Sequence, residues 1–209
     1  MSDAREFWNP RFAAADYLYG TEPNDFLREE AHRLKPGDRV LSLGDGEGRN
    51  GVFLAGQGCA VTALDAAEVG LAKAEALARQ RGVVLTTLHA DLEHYHLEPE
   101  SWDGIVAIFC HLPSAFRARV FADVVAALKP GGVLLLEGYT PRQLAYGSGG
   151  PKEVDLLYEP ETLRAELAGL EFERLTELTR PVLEGRLHTG MAAVLQIVAR
   201  KPFAAGAGR

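Results

Sequence analysis

Short apolar runs alternate along the chain with stretches whose apolar residues recur every three or four positions. The runs read as buried strands and the stretches as amphipathic helices, and their alternation predicts a parallel sheet with crossover helices. Predicted strands are the run from Val40 that ends at Gly44, Ala60 to Asp65, Val84 to His89, Gly104 to Phe109 and Val133 to Glu137. Two further runs, Phe172 to Thr179 and Ala192 to Arg200, are joined by residues 180–190 and predict an antiparallel pair at the end of the sheet. Gly104 to Phe109 is almost wholly apolar, as expected of a central strand buried on both faces.

Among the helices, Asn24 or Asp25 caps one whose Leu27, Ala31 and Leu34 share a face, and Lys35-Pro36-Gly37-Asp38 ends it. A second runs from Arg49 to about Gly56. A third sets Leu71, Ala74 and Ala78 opposite Glu68, Glu75 and Arg79 and stops at Gly82. A fourth starts near Ser114, aligns Phe116, Val120, Val124 and Ala127, and ends at Lys129-Pro130-Gly131-Gly132. A fifth covers Glu161 to Leu167, after a long irregular stretch from Tyr139 to Tyr158 that reads as a functional loop. One domain over 1–209 is expected: an N-terminal helical cap (1–37), a ligand-binding core (38–137), an acceptor-side loop (138–158), and a C-terminal helix with the strand pair (159–203). Ala204 to Arg209 read as a frayed tail.

The most telling segment is Val-Leu-Ser-Leu-Gly-Asp-Gly-Glu-Gly over 40–48, a strand running into three glycines and then a helix. Glycines there bring bare backbone against a flat ligand, the nucleotide cradle of open α/β sheets. A dinucleotide fingerprint needs a glycine at the sixth position from Gly44, where Arg49 stands. Asp45 and Glu47 would also repel a pyrophosphate at a helix N-terminus. S-adenosylmethionine carries no phosphate but a sulfonium and an ammonium, so these acids favour it over a nicotinamide dinucleotide.

Composition narrows the partners. Hydrophobic content of 47% with 24% charged residues describes an ordinary globule, and the net charge of −7 with no Lys/Arg run argues against nucleic acid. Cys59 and Cys110 form neither a metal-ligand pattern nor a disulfide framework, so no metal is expected and a cytoplasmic location fits. No signal peptide or membrane span is read from the sequence.

Leu43-Gly44-Asp45-Gly46-Glu47-Gly48, Asp65, Asp91-Leu92 and Leu128-Lys129-Pro130-Gly131-Gly132, in this order, resemble a class I S-adenosylmethionine-dependent methyltransferase over about residues 38 to 200. The resemblance implies a Rossmann-like, doubly wound, seven-stranded and mostly parallel sheet. Phe7-Trp8-Asn9-Pro10-Arg11-Phe12, Tyr19-Gly20-Thr21-Glu22-Pro23-Asn24 and Gly46-Glu47-Gly48-Arg49-Asn50 are similar to the bacterial branch containing tellurite-resistance and thiopurine methyltransferases. Ser42 departs from the acidic residue often found at its position, which leaves Asp45 or Glu47 to order the loop.

S-adenosylmethionine, released as S-adenosylhomocysteine, is thus the expected cofactor. Gly44, Asp45, Gly46, Glu47, Gly48, Arg49 and Asn50 would form its cradle. Asp65, with Ala66 beside it, would accept the ribose hydroxyls, or else cap the next helix. Asp91 would accept from the adenine amino group, with Leu92 and Phe109 nearby, or else cap a turn. Arg49 and Arg11 compete for the methionine carboxylate, and Tyr19 and Asn24 fold over that end.

On the acceptor side His111 is the candidate base or orienting group, the alternative being a histidine bonded to backbone. Cys110, Tyr139, Tyr146 and His188 border the acceptor, with Cys110 also readable as a small buried hydrophobe. Gly147 to Gly150 with Tyr146 resemble a hinged lid, and Trp8, Phe12 and Tyr17 either wall the pocket or staple the terminus to the core. The expected partner is a small soft or anionic molecule, a thiol or a chalcogen oxyanion; two cysteines are too few for the thiol grip of arsenic methylation. An NAD(P)-dependent oxidoreductase and a non-catalytic S-adenosylmethionine-binding regulator are the competing classes.

Overall fold

Residues 4–203 are described by the computed structural model; the tail from Ala204 lies outside them. A seven-stranded sheet in the order β3-β2-β1-β4-β5-β7-β6 carries helices on both faces. Its strands are β1 (Arg39–Leu43), β2 (Ala60–Asp65), β3 (Thr86–His89), β4 (Trp102–Ile108), β5 (Leu128–Tyr139), β6 (Glu171–Glu184) and β7 (His188–Arg200). The first five run parallel, and β7 is antiparallel to both β5 and β6. The helices are α1 (Ala4–Phe12), α2 (Asp25–Glu30), α3 (Arg49–Gly56), α4 (Glu68–Arg81), α5 (Ser114–Ala127) and α6 (Pro160–Glu166).

Two helix ends have a clear local cause. The Asn24 side chain accepts from the Leu27 N–H and caps α2, and Gly82 closes α4 in the left-handed region with φ 68°. One face of the sheet packs α5 and α6 through Val120, Phe121, Val124 and Leu163. The other packs α2 and α3 through Phe26, Leu27, Leu34 and Leu54. β4 lies between them, buried from Gly104 to Ile108 as its apolar run predicts.

Several boundaries differ from the expected ones by a residue or two, and three differences have a physical reason. β3 starts at Thr86 rather than Val84, which is largely exposed. Lys129 to Gly132 do not separate helix from strand: Leu128 already pairs with Trp102, and the ladder shifts register before resuming at Gly104 and Val133. The 180–190 connection is mostly strand, since β6 and β7 pair residue by residue from Thr179–Ala193 to Glu184–His188, leaving a turn at 185–187. Arg180, Glu184 and His188 erased the apolar alternation there because these polar groups point into a buried network.

Along the sheet, β1 leads outward to β2 and β3, and the chain then returns to β4 on the other side of β1. The carboxyl ends of β1 and β4 therefore flank the crevice where open α/β sheets bind ligands.

Candidate functional site

Gly44 to Gly48 turn the chain from β1 into α3 at this crevice. Gly48 has φ 88°, and a Cβ on it would stand 2.5 Å from the Cβ of Ala74, so α4 can pack only against bare backbone. A Cβ on Gly44 would stand 2.8 Å from the Cys110 Sγ, which marks how closely the ends of β1 and β4 approach.

The acids of this bend are held largely by backbone. Asp65 accepts from the Gly46 N–H and the Ala67 N–H, both at 2.8 Å, and burial raises its pKa. Its carboxylate thereby fixes the glycine bend relative to the start of α4 while keeping lone pairs for a ligand. Asp45 accepts from the Ser42 hydroxyl at 2.6 Å and the Gly51 N–H at 3.1 Å, which ties the end of β1 to the start of α3. Burial pushes Asp45 up to about 6, and its Oδ2 is buried without a hydrogen-bond partner. Glu47 does not face the crevice freely: it accepts from the Leu18 N–H at 2.7 Å and pairs with Lys73. Asn50 accepts from the Asn24 N–H at 3.0 Å. Glu47 and Asn50 thus tie the 18–24 segment across the loop.

Asp91 accepts from the Glu93 N–H at 2.8 Å in a turn, with Leu92 buried beside it. The Ala66 carbonyl meets the His89 Nε2 at 3.0 Å. Phe12 packs on the glycine bend, 3.1 Å from where a Gly46 Cβ would lie, and Trp8 stacks on Phe12. Tyr17 donates to the Lys73 carbonyl. These aromatic residues staple the terminus to α4.

The two candidate arginines separate clearly. Arg11 is exposed, its guanidinium 3.4 Å above the Phe7 ring. Arg49 is buried; its Nη2 donates to Glu184 at 2.6 Å, and its Nη1 is buried with no partner.

Across the crevice a polar network gathers at the carboxyl end of β5 and the β6–β7 turn. Glu137, fully buried, is gripped by Arg180 through two nitrogens and accepts from Asn24 at 2.8 Å and Gln196 at 2.6 Å. Glu184 accepts from Arg49 and Asn24 and faces His188. The neighbouring His188 and Arg49 hold its carboxyl at about 2 despite burial. Of this network the sequence reading singled out Arg49, Asn24 and His188 but not Glu137, Arg180, Glu184 or Gln196. Glu137 carried a usable signal: a carboxylate closing the apolar run Val133 to Leu136 demands a buried partner.

Aromatic rings line the same end. Phe109, just past β4, takes φ 52°, unusual for a residue with a side chain. Its ring stacks on Tyr139 at 4.6 Å and meets His188 edge-on at 4.7 Å, while Tyr19 reaches His188 at 4.5 Å. The Tyr139 hydroxyl is buried and unpartnered, and burial raises its pKa.

His111 does not present a free ring nitrogen. Nδ1 lies 2.7 Å from the Leu156 carbonyl and Nε2 accepts the Tyr139 N–H at 3.2 Å, and burial lowers its pKa to about 4. This is the backbone-bonded alternative. Burial raises the Cys110 thiol to about 12, so it stays protonated and packs as a small apolar group. Gly149 and Gly150 serve close packing, against Leu187 and the Tyr139 ring, and Ser148 donates to the Met191 carbonyl. The structure gives Tyr146 no contact with the aromatic cluster; its N–H donates to the Gln143 carbonyl.

An S-adenosylmethionine molecule fits the groups left over. The bare glycine backbone, the spare lone pairs of Asp65, the unpartnered Asp45 Oδ2 and the unpartnered Arg49 Nη1 suit ribose, ammonium and carboxylate in turn.

Comparison with known proteins agrees with this geometry. Residues 40–132 match the family described as methyltransferase domain. No curated protein matches the chain. A structure described as "Conversion of a Disulfide Bond into a Thioacetal Group during Echinomycin Biosynthesis" superposes with a TM-score of 0.78 at 19% identity, covering 98% of this chain and 95% of the other. TehB from Haemophilus influenzae gives 0.70 at 18% identity over 95% of this chain and 67% of its own. An S-adenosylmethionine-dependent methyltransferase from Methanosarcina mazei gives 0.67 at 18% over 88% of this chain and all of its own. Among the described residues no helix is long and apolar enough to cross a membrane.

Proposed function

The chain carries a class I S-adenosylmethionine-dependent methyltransferase domain that uses S-adenosylmethionine as methyl donor, and from that premise we propose that its acceptor is a small soft or anionic molecule, a thiol or a chalcogen oxyanion. The observation that carries this reading is the cluster of rings at the acceptor end, where Tyr19, Phe109, Tyr139 and His188 gather with centroids 4.5–5.3 Å apart and offer an apolar, polarizable lining suited to a soft acceptor. Net charge of −7 argues against a nucleic-acid acceptor. The narrower kinship with the tellurite-resistance and thiopurine branch rests on the Phe7–Phe12 and Tyr19–Asn24 motifs, with TehB among the similar folds. The neighbour linked to conversion of a disulfide bond into a thioacetal adds a case of sulfur chemistry on this fold.

In this reading Asp65 holds the ribose, Asp91 the adenine edge, and Asp45 and Arg49 the ammonium and carboxylate of the donor. When bound, the donor supplies an electrophilic methyl group on a sulfonium. The protein's own work is alignment and exclusion of water, which can supply about 7–11 kcal/mol of the barrier. Tyr19, Leu18 and the β6–β7 turn close over the cleft: the Arg186 N–H donates to the Leu18 carbonyl at 3.0 Å. Titration calorimetry with S-adenosylhomocysteine and NADH, followed by a methylation screen with thiols, selenite and tellurite, tests the proposal. S-adenosylhomocysteine should bind, NADH should not, and at least one of these acceptors should be methylated. Binding without methylation of any acceptor would favour the regulator instead.

A further inference from the structure

We propose that His188, backed by Glu184, takes the proton from the acceptor, and that the acceptor arrives as a neutral thiol among Tyr19, Phe109 and Tyr139. This rests on the methyl-transfer reading and narrows its acceptor. With both nitrogens of His111 bonded to backbone, His188 is the imidazole left at the acceptor end. Its Nδ1 is buried 3.7 Å from a Glu184 oxygen and makes no hydrogen bond at that distance, so the pair is poised rather than locked. Three aromatic rings lie with centroids 4.5–5.3 Å from the imidazole, a setting that favours polarizable sulfur.

Charge around the ring argues against an oxyanion. His188 is faced by Glu184 at the end of β6, Glu137 on β5, Arg49 on α3 and the neutral His111 after β4, with Tyr19 and Tyr139 completing the wall. Arg49 and Arg180 are matched by Glu184 and Glu137, so the protein's own side chains add no surplus positive charge for an anion. An ordinary thiol, with a pKa of about 8.5, is mostly protonated at neutral pH and gains from a base. The S–H proton passes to His188 and Glu184 stabilises the imidazolium; the sulfur pair forms the bond to methyl while the methyl–sulfonium pair returns to the donor sulfur. Burial lowers the His188 pKa, and Glu184 offsets only part of that.

Thiophenol is a suitable probe because its thiolate absorbs differently from the thiol. Bound to the wild-type protein with S-adenosylhomocysteine, it should ionise at least about one pH unit lower than free thiophenol, and His188→Gln should abolish that shift. With 2-mercaptoethanol as methyl acceptor, His188→Gln should lower kcat about 100-fold or more, the usual contribution of a positioned base. S-adenosylhomocysteine affinity should change less than twofold. An unshifted thiophenol titration in the wild type, which needs no variant to fold, overturns the proposal, as does equal turnover by His188→Gln. Failure of S-adenosylhomocysteine to bind at all would instead overturn the underlying methyl-transfer reading.

Discussion

On the β1–β2 side of the cleft, buried acids are satisfied mainly by backbone N–H groups and a hydroxyl, whereas on the β5–β7 side they are satisfied by guanidinium and amide side chains. Asp45 and Asp65 sit beside the glycine turn that shapes their donors, within one strand–turn–helix–strand unit. Glu137 and Glu184 depend on Asn24, Arg49, Arg180 and Gln196, drawn from the N-terminal segment, α3, β6 and β7. The first arrangement is built within one local bend; the second ties distant segments together and so sets shape, leaving Arg49 Nη1 and His188 Nδ1 unpartnered. Changes on the two sides should therefore act differently, the first on the local bend and the second on how distant segments are held together.

The largest effect is expected on the side-chain network. Glu137→Ala strands Arg180 without its bidentate partner in a buried place, and should cost about 3–5 kcal/mol in urea unfolding. A loss below about 1 kcal/mol would mean the network relaxes as an exposed one does. On the opposite side Gly48→Ala forces a Cβ against Ala74 at a positive φ, and should cost about 1–3 kcal/mol.

The two halves should also respond to pH with opposite sign. Asp45 is raised to about 6, so the folded state holds its proton more tightly than the unfolded chain. Its contribution is fully present below the unfolded value of about 3.9 and is lost as pH rises through 6. Glu184 is lowered to about 2, so its contribution is present above the unfolded value of about 4.3 and lost as pH falls toward 2. Urea midpoints from pH 2 to 7 should show the wild type losing ground to Asp45→Asn with rising pH, and losing its advantage over Glu184→Gln with falling pH. Parallel curves for all three proteins would erase the distinction. The smallest effect belongs to Ser42→Ala, which removes one hydrogen bond to Asp45 and should cost about 0.5–1.5 kcal/mol.

The same contrast explains what the sequence made legible. The succession of strands and helices along the chain, the glycine bend, the place of Asp65 at the end of β2 and the limits of α3 follow from local patterns, because turn chemistry and apolar periodicity act over a few residues. Glu137 and Arg180 escaped because they pair across 43 residues, and Glu184 because Arg49 and Asn24 lie more than 100 residues away; the polarity of Arg180 and Glu184 also disguised the end of β6 as loop. His111 stayed open between a base and a backbone-bonded ring because no local pattern reveals the Leu156 carbonyl and the Tyr139 N–H that occupy it. The positive φ of Phe109 has no sequence signature at all.

The account turns on the donor being held by the glycine bend and Asp65, independently of the acceptor end. Titration calorimetry of S-adenosylhomocysteine against the wild type, Asp65→Ala and His188→Gln addresses this directly. Loss of the charged hydrogen bonds in Asp65→Ala should cost about 1.5–3 kcal/mol, roughly 10- to 150-fold in affinity, while His188→Gln should stay within twofold of the wild type. Full affinity in Asp65→Ala, or a comparable loss in His188→Gln, would contradict it.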